Sequence, residues 1–197
     1  MIVGAVDCTG HGVPGAFMTL IGSKRFQRAI TKFSAPGEIL REVNRGLKEV
    51  LHQSAEEGSV RDGVDGVMCN INLITMKLSY AGANRPLWII KKDSSDSVSE
   101  IKPTRYSLGG RTSENTIFET HEIDIQKGDL IYLFSDGYCD QFNSQNQKIL
   151  PFRLKEMLLE NKDKPLHEQS SQLESFLLSW QGNCEQTDDI QVFGLKV

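Results

Sequence analysis

The chain has 197 residues, 39% hydrophobic and 24% charged, an ordinary composition for a soluble globular protein and long enough to bury a core within one domain. Its 22 Lys+Arg against 26 Asp+Glu leave a net charge of -4 with no basic stripe, which argues against nucleic-acid binding. No apolar run reaches the ~18 residues of a membrane span, Met1-Ile2-Val3-Gly4 lacks the charged opening of a signal peptide, and Cys8, Cys69, Cys139 and Cys184 show neither zinc-site nor disulfide-framework spacing, so a reduced cytoplasmic setting is expected.

The first element predicted is a short buried strand, Ile2 to Val6, running into Asp7, a glycine-rich turn and a helix that starts near Val13 or Pro14. Such a junction fixes a carboxylate on a rigid element beside unpaired helix N–H groups, a place to hold a metal, a phosphate or both. Val13, Phe17, Leu20, Ile21, Phe26, Ile30 and Phe33 then recur at roughly helical spacing. Ser34-Ala35-Pro36-Gly37 breaks this helix, and Ile39, Leu40, Val43, Leu47, Val50 and Leu51 mark a second one, ending before Glu56-Glu57-Gly58.

Alternation over Val67 to Leu73, a short turn at Thr75 to Lys77 and Leu78 to Ala81 predict an antiparallel strand pair. Pro86 opens a strand over Leu87 to Lys91, Asp93 to Ser97 reads as an exposed turn, and Thr104 to Asn115 as a loop over the site. Phe118 to Ile125 alternates as a strand in which His121 is structural. Leu130 to Ser135, apolar on both sides, is a central strand. Leu154, Met157 and Leu158 mark a third helix, Leu166 to Trp180 a fourth, and Ile190 to Val197 a last strand. Antiparallel runs with helix pairs between them, and no repeated βαβ alternation, indicate α+β.

Three strands deliver acids at one end: Asp7, then Asp136 in Phe134-Ser135-Asp136-Gly137, and the pair Asp188-Asp189. Oxygen ligands of this kind suit a hard divalent cation. Together with D-C-T-G-H-G-V-P-G-A (Asp7 to Ala16), D-G-V-D (Asp62 to Asp65), Y-A-G-A-N-R-P-L (Tyr80 to Leu87), F-S-D-G-Y-C-D-Q (Phe134 to Gln141) and T-D-D-I (Thr187 to Ile190), the chain resembles the stage II sporulation protein E-type branch of the metal-dependent, protein phosphatase 2C-like Ser/Thr phosphatases. The motifs occur in the family's order along essentially the whole chain.

The resemblance implies a four-layer α-β-β-α sandwich of two mainly antiparallel sheets flanked by helices, a single phosphatase-like domain over 1–197, and two divalent cations, Mn2+ or Mg2+. Asp7 would bridge both ions, the Cys8 carbonyl would bind one, and Asp136 and Asp188 would complete the second, with Asp189 ranked below Asp188. Asp65 is a further candidate ligand, although a polar turn explains Asp62 to Asp65 equally well. His11 would contact phosphate or hold the turn, and Gly10 and Gly12 would offer phosphate-binding backbone. Two such cations lower the pKa of a shared water and neutralise charge on the phosphoryl oxygens.

Complete members of the family carry an upstream strand pair with a G-G-D or S-G-D motif whose Asp helps hold the first metal. The chain begins inside the next strand, which implies an N-terminally truncated domain, part of a longer and possibly membrane-tethered signalling protein with an upstream sensory region, and a weakly held first metal. The implied substrate is a phosphorylated protein of the STAS-like anti-sigma-factor antagonist type, and a homodimer through the first two helices is expected. The alternative reading is a catalytically silent phosphatase-like module that binds a partner.

Overall fold

In the computed structural model, which describes residues 1–10, 12–53 and 62–197, the chain forms two compact units. Met1–Leu87 with Ile101–Asp124 makes the first, and Trp88–Glu100 with Ile125–Val197 the second.

The first unit holds β1 (Ile2–Cys8), α1 (Gly12–Lys32), α2 (Pro36–Val50), β2 (Gly63–Asn72), β3 (Lys77–Ala83) and, after the sequence of strands that begins the other unit, two short strands, Leu108–Gly109 and His121–Asp124. Its sheet runs in the order β1, β2, β3 and His121–Asp124, with Leu108–Gly109 also pairing to β2, all antiparallel. The α2 helix follows from its pattern: Pro36 at the first turn suits a position with no N–H to satisfy, and Ile39, Leu40, Val43 and Leu47 fall on one face, fully buried. They pack with Met18 and Phe26 of α1 against Val64, Met68 and Leu108.

The α1 helix keeps Phe26 of its predicted stripe in the core, with Ile21 and Phe33 packed against it, but departs from its periodicity at Val13, Phe17 and Leu20. Its buried stripe is Gly15, Met18, Gly22, Phe26 and Ala29, while Val13, Phe17 and Leu20 are 70%, 61% and 68% exposed. Small residues win the inner face because they let the helix backbone approach the sheet: a side chain at Gly15 would stand 2.5 Å from the Gly10 carbonyl oxygen, so Gly15 is required where the turn folds back on α1.

The two short strands of the first unit are β6 (Leu108–Gly109) and β7 (His121–Asp124); the second unit contains β4 (Leu87–Lys91, whose first residue closes the first unit), β5 (Ser94–Ile101), β8 (Leu130–Phe134), α3 (Gly137–Asp140), α4 (Leu150–Glu160), α5 (Leu166–Gln181) and β9 (Val192–Lys196). Its four-stranded sheet has the order β5-β4-β8-β9. The fully buried β8 is an interior strand, as its two-sided apolar run requires. Trp88, Tyr132, Phe134, Tyr138, Leu154 and Leu158 form the core on which α4 and α5 rest.

The fold class is therefore α+β with two antiparallel sheets and helices. Three local expectations are corrected. Asp93 to Ser97 is not a turn but mostly the start of β5, because pairing with β4 supplies the order that its polar composition lacks. Asp65 lies within β2 rather than in a polar turn. Thr104 to Asn115 is not a free loop: β6 pairs with β2, and Asn44 and Gln53 accept hydrogen bonds from the Gly109 and Gly110 N–H groups at 2.7 Å each. The Glu56-Glu57-Gly58 stretch lies outside the described residues. The sequence pattern also misses the single-turn α3.

In the second unit a buried carboxylate holds the turn into β8. Asp129 is fully buried and accepts from Lys91 Nζ at 2.9 Å and from the N–H groups of Lys92 and Gln126 at 3.0 Å each. Burial works to raise its pKa, but Lys91 and the two N–H donors outweigh this and hold it below the ordinary Asp value. The resulting stability is present above the unfolded-state pKa, about 3.9, and is lost as pH falls through the lower folded value. Asp129→Asn is expected to cost about 2–4 kcal/mol at neutral pH, and chemical denaturation as a function of pH should show the difference from the parent shrinking below about pH 4.

Candidate metal centre

The first unit presents its acids on paired strands and the second presents them between β8 and α3 and in the segment before β9, and the local sequence explains how. In the first unit β1 and β2 pair in a register that sets Asp7 opposite Asp65 and Cys8 opposite Val64. The strand thus runs two residues further than its apolar pattern, and Asp7 sits within a paired segment. Thr9 then ties the turn to the second acidic motif: its hydroxyl donates to the Gly63 carbonyl at 2.9 Å and accepts from the Gly63 N–H at 2.8 Å. Gly10 and Gly12 follow with φ of 97° and 66°. His11 lies outside the described residues.

Two carboxylates directly opposite on antiparallel strands repel each other. Arg85 answers both, with Nη2 at 3.4 Å from Asp7 Oδ2 and 3.1 Å from Asp65 Oδ2. The other Asp65 oxygen accepts from Ser107 Oγ at 2.6 Å and Asn84 Nδ2 at 2.9 Å. The half-buried Cys8 thiol lies against α1 near Gly22. Burial pushes its pKa up, a hydrogen bond with Thr19 offsets part of the rise, and the Asp7 charge adds to it, so the thiol is protonated at neutral pH.

In the second unit Asp136 leaves the end of β8 and caps α3, and the segment carrying Asp188 and Asp189 lies beside it. Ser135 makes the join: its hydroxyl donates to the Asp189 carbonyl at 2.9 Å and accepts from the Gln191 N–H at 3.0 Å. The Asp-Gly pair is also sterically required, since a side chain at Gly137 would stand 2.4 Å from the Asp189 carbonyl oxygen. Gln141, fully buried, anchors the approach to Asp188 by donating to the Glu185 carbonyl at 3.0 Å and accepting from the Thr187 N–H at 3.4 Å. Asp188 and Asp189 themselves are exposed.

Within each unit, then, the candidates are gathered: Asp7, Cys8 and Asp65 in one, and Asp136, Asp188 and Asp189 in the other. The donor set is of hard oxygens, which fits Mg2+ or Mn2+ better than a soft-ligand metal. Sequence reasoning missed Arg85, Asn84, Ser107, Ser135 and Gln141. Four of these lie inside the motifs Y-A-G-A-N-R-P-L and F-S-D-G-Y-C-D-Q, and the available signal was an Arg next to an Asn at a strand end, where a left-handed Asn (φ 58°) turns the chain. Ser107 carries no such signal.

Residues 1–197 match the family model of stage II sporulation protein E. The chain is 26% identical over 137 residues to phosphoserine phosphatase RsbP of Bacillus subtilis (strain 168), a match that covers 68% of this chain and 32% of that protein. It therefore spans about a third of the length of that curated relative. Among solved structures it is similar to the SiaA-PP2C domain of Pseudomonas aeruginosa, with 27% identity and a TM-score of 0.85 over 100% of this chain and 75% of that one. It also shares its fold with RsbX, solved in complex with magnesium, at 15% identity and a TM-score of 0.69 over 100% of this chain and 81% of that one.

Replacing buried Gln141 with Leu removes the hydrogen-bond partner of the Glu185 carbonyl and of the Thr187 N–H, and is expected to cost about 1 kcal/mol of stability. Denaturant titration would read the loss, and amide exchange at Thr187 should quicken in the variant while that of β8 follows only the global change.

Proposed function

The chain belongs to the stage II sporulation protein E family, of the protein phosphatase 2C-like fold, and on that premise we propose that residues 1–197 act as one metal-dependent phosphoserine/phosphothreonine protein phosphatase domain in bacterial signalling. The observation that carries this reading is that the acids expected to act stand on segments held by specific ties: Asp7 on β1 through the β1–β2 register and Thr9, and Asp136, just after β8, beside the Asp188-Asp189 segment through Ser135 and Gly137. A turn that served only to connect elements would not need such ties.

The residues fit divalent cations by the chemistry of their donors. Asp7 would bridge, the Cys8 carbonyl would bind one ion, and Asp136 and Asp188 would hold the other, with Asp189 as the weaker candidate. When bound, such ions lower the pKa of a water and neutralise charge that builds on the phosphoryl oxygens. Asp7, fixed on β1, and Asp136, at the start of α3 just after β8, keep their donor oxygens in place with little reorganisation. The backbone of Gly10 and Gly12, next to the start of α1, is suited to phosphate oxygens, and a side chain built on Gly12 would meet nothing within 4 Å.

The proposed substrate is a phosphorylated protein of the STAS-like anti-sigma-factor antagonist type, in a cytoplasmic setting. Among the described residues no helix is long and apolar enough to cross a membrane. The full-length protein is expected to release phosphate from a phosphoserine peptide with Mn2+ or Mg2+, to stop on chelation and to resume on adding metal back. Asp7→Asn and Asp136→Asn should each lower kcat on the order of a hundredfold or more with an unchanged circular dichroism spectrum. Folded, metal-loaded protein with no turnover would favour the silent binding module instead.

The outward Val13, Phe17 and Leu20 of α1 support a homodimer, since apolar residues spaced along one helix face suit a second copy. Sedimentation velocity should show a dimer that Phe17→Glu converts to monomer; monomer at all concentrations for the parent would remove this part of the proposal.

A further inference from the structure

The Arg85 side chain is 14% exposed and its guanidinium lies between Asp7 and Asp65, whose side chains are 16% and 21% exposed. The backbone around it is tightly held. Buried Tyr80 donates its hydroxyl to the Arg85 carbonyl at 2.8 Å, and Asn84 takes its left-handed conformation with its N–H donating to the Thr104 carbonyl at 2.9 Å. The two ends of the ion pair are unequal. The contact to Asp65 is the shorter, and Asp65 is itself oriented by Ser107 and Asn84, so Arg85 is anchored on Asp65 and reaches Asp7 from there. Asp65 has both oxygens engaged by protein donors, which makes it an anchor for a cation rather than an open ligand.

We propose that Arg85 is a built-in counter-cation at Asp7 that competes with the divalent metal and so sets the metal concentration at which the site fills. This rests on the reading of Asp7 as a metal ligand. Without metal, the guanidinium keeps two facing carboxylates compatible across β1 and β2. A divalent cation arriving at Asp7 has to enter beside a fixed positive charge and loosen the longer of the two contacts, while Arg85 stays on Asp65. An opposite or like charge within this range moves a carboxylate's affinity for a proton by one to three pKa units, and its affinity for a metal ion is subject to the same Coulomb effect. Arg85 is a positioning residue in this scheme and touches neither substrate nor the reacting atoms.

The test compares the parent, Arg85→Met, Arg85→Lys and Asp7→Asn by calorimetric titration with Mn2+ alone and by thermal unfolding with and without Mn2+. Arg85→Met should bind Mn2+ about tenfold more tightly than the parent, unfold several degrees lower without metal, and recover most of that difference at saturating Mn2+. Arg85→Lys, which keeps the charge, should stay within about threefold of the parent's affinity. Arg85→Gln provides the same comparison if the Met variant does not fold. Equal or weaker Mn2+ binding by the charge-free variant, in a protein where Asp7→Asn abolishes binding, overturns the competition. Failure of the underlying reading looks different: Asp7→Asn then binds Mn2+ as well as the parent does, and the proposal falls with it.

Discussion

Repulsion between carboxylates that the fold holds close together is the constraint from which the rest of this structure is best understood. Asp7 and Asp65 face each other across paired strands, a placement that costs stability unless a positive charge stands between them. Arg85 supplies that charge from 78 residues beyond Asp7. The cation offsets this repulsion, and it is held in place by Asp65, which Ser107 and Asn84 orient. Asp129 follows the same logic inside the second unit, where Lys91 and two N–H groups compensate for its burial.

Such compensation distinguishes acids that serve the fold from acids that can serve chemistry. Asp129 and Asp65 have their oxygens taken up by protein donors. Asp188 and Asp189 are exposed in a segment whose backbone is tied down by Ser135 and Gln141, and the Asp188 carboxylate accepts from the Asp189 N–H at 2.8 Å. Holding the backbone while leaving an acid's side chain to solvent is how a protein can present a carboxylate to a cation without letting it drift. The glycine at 137 belongs to the same device, because only a residue without a side chain lets the two segments approach so closely.

Membership of the stage II sporulation protein E family fits this distribution of acids along the chain. The match covers about a third of the curated relative's length.

Sequence alone determined the order and kind of most elements, because apolar periodicity and the Gly and Pro breaks are local properties: α2 with its Ile39, Leu40, Val43 and Leu47 face, the hairpin of β2 and β3, and the two-sided run of β8 were all legible. The acids at 7, 136 and 188 were legible too, as carboxylates next to strands and glycine turns. What only the tertiary structure decided was partnership. Periodicity marks which residues are apolar, not which face meets the sheet, and α1 turned its glycines inward because close approach outweighed the burial of Val13, Phe17 and Leu20. Polar Ser94 to Ser97 became strand through pairing with β4. Asp65 gained Arg85, Asn84 and Ser107 from 19 to 42 residues away, and contacts made across such distances leave no mark on the local pattern of either partner.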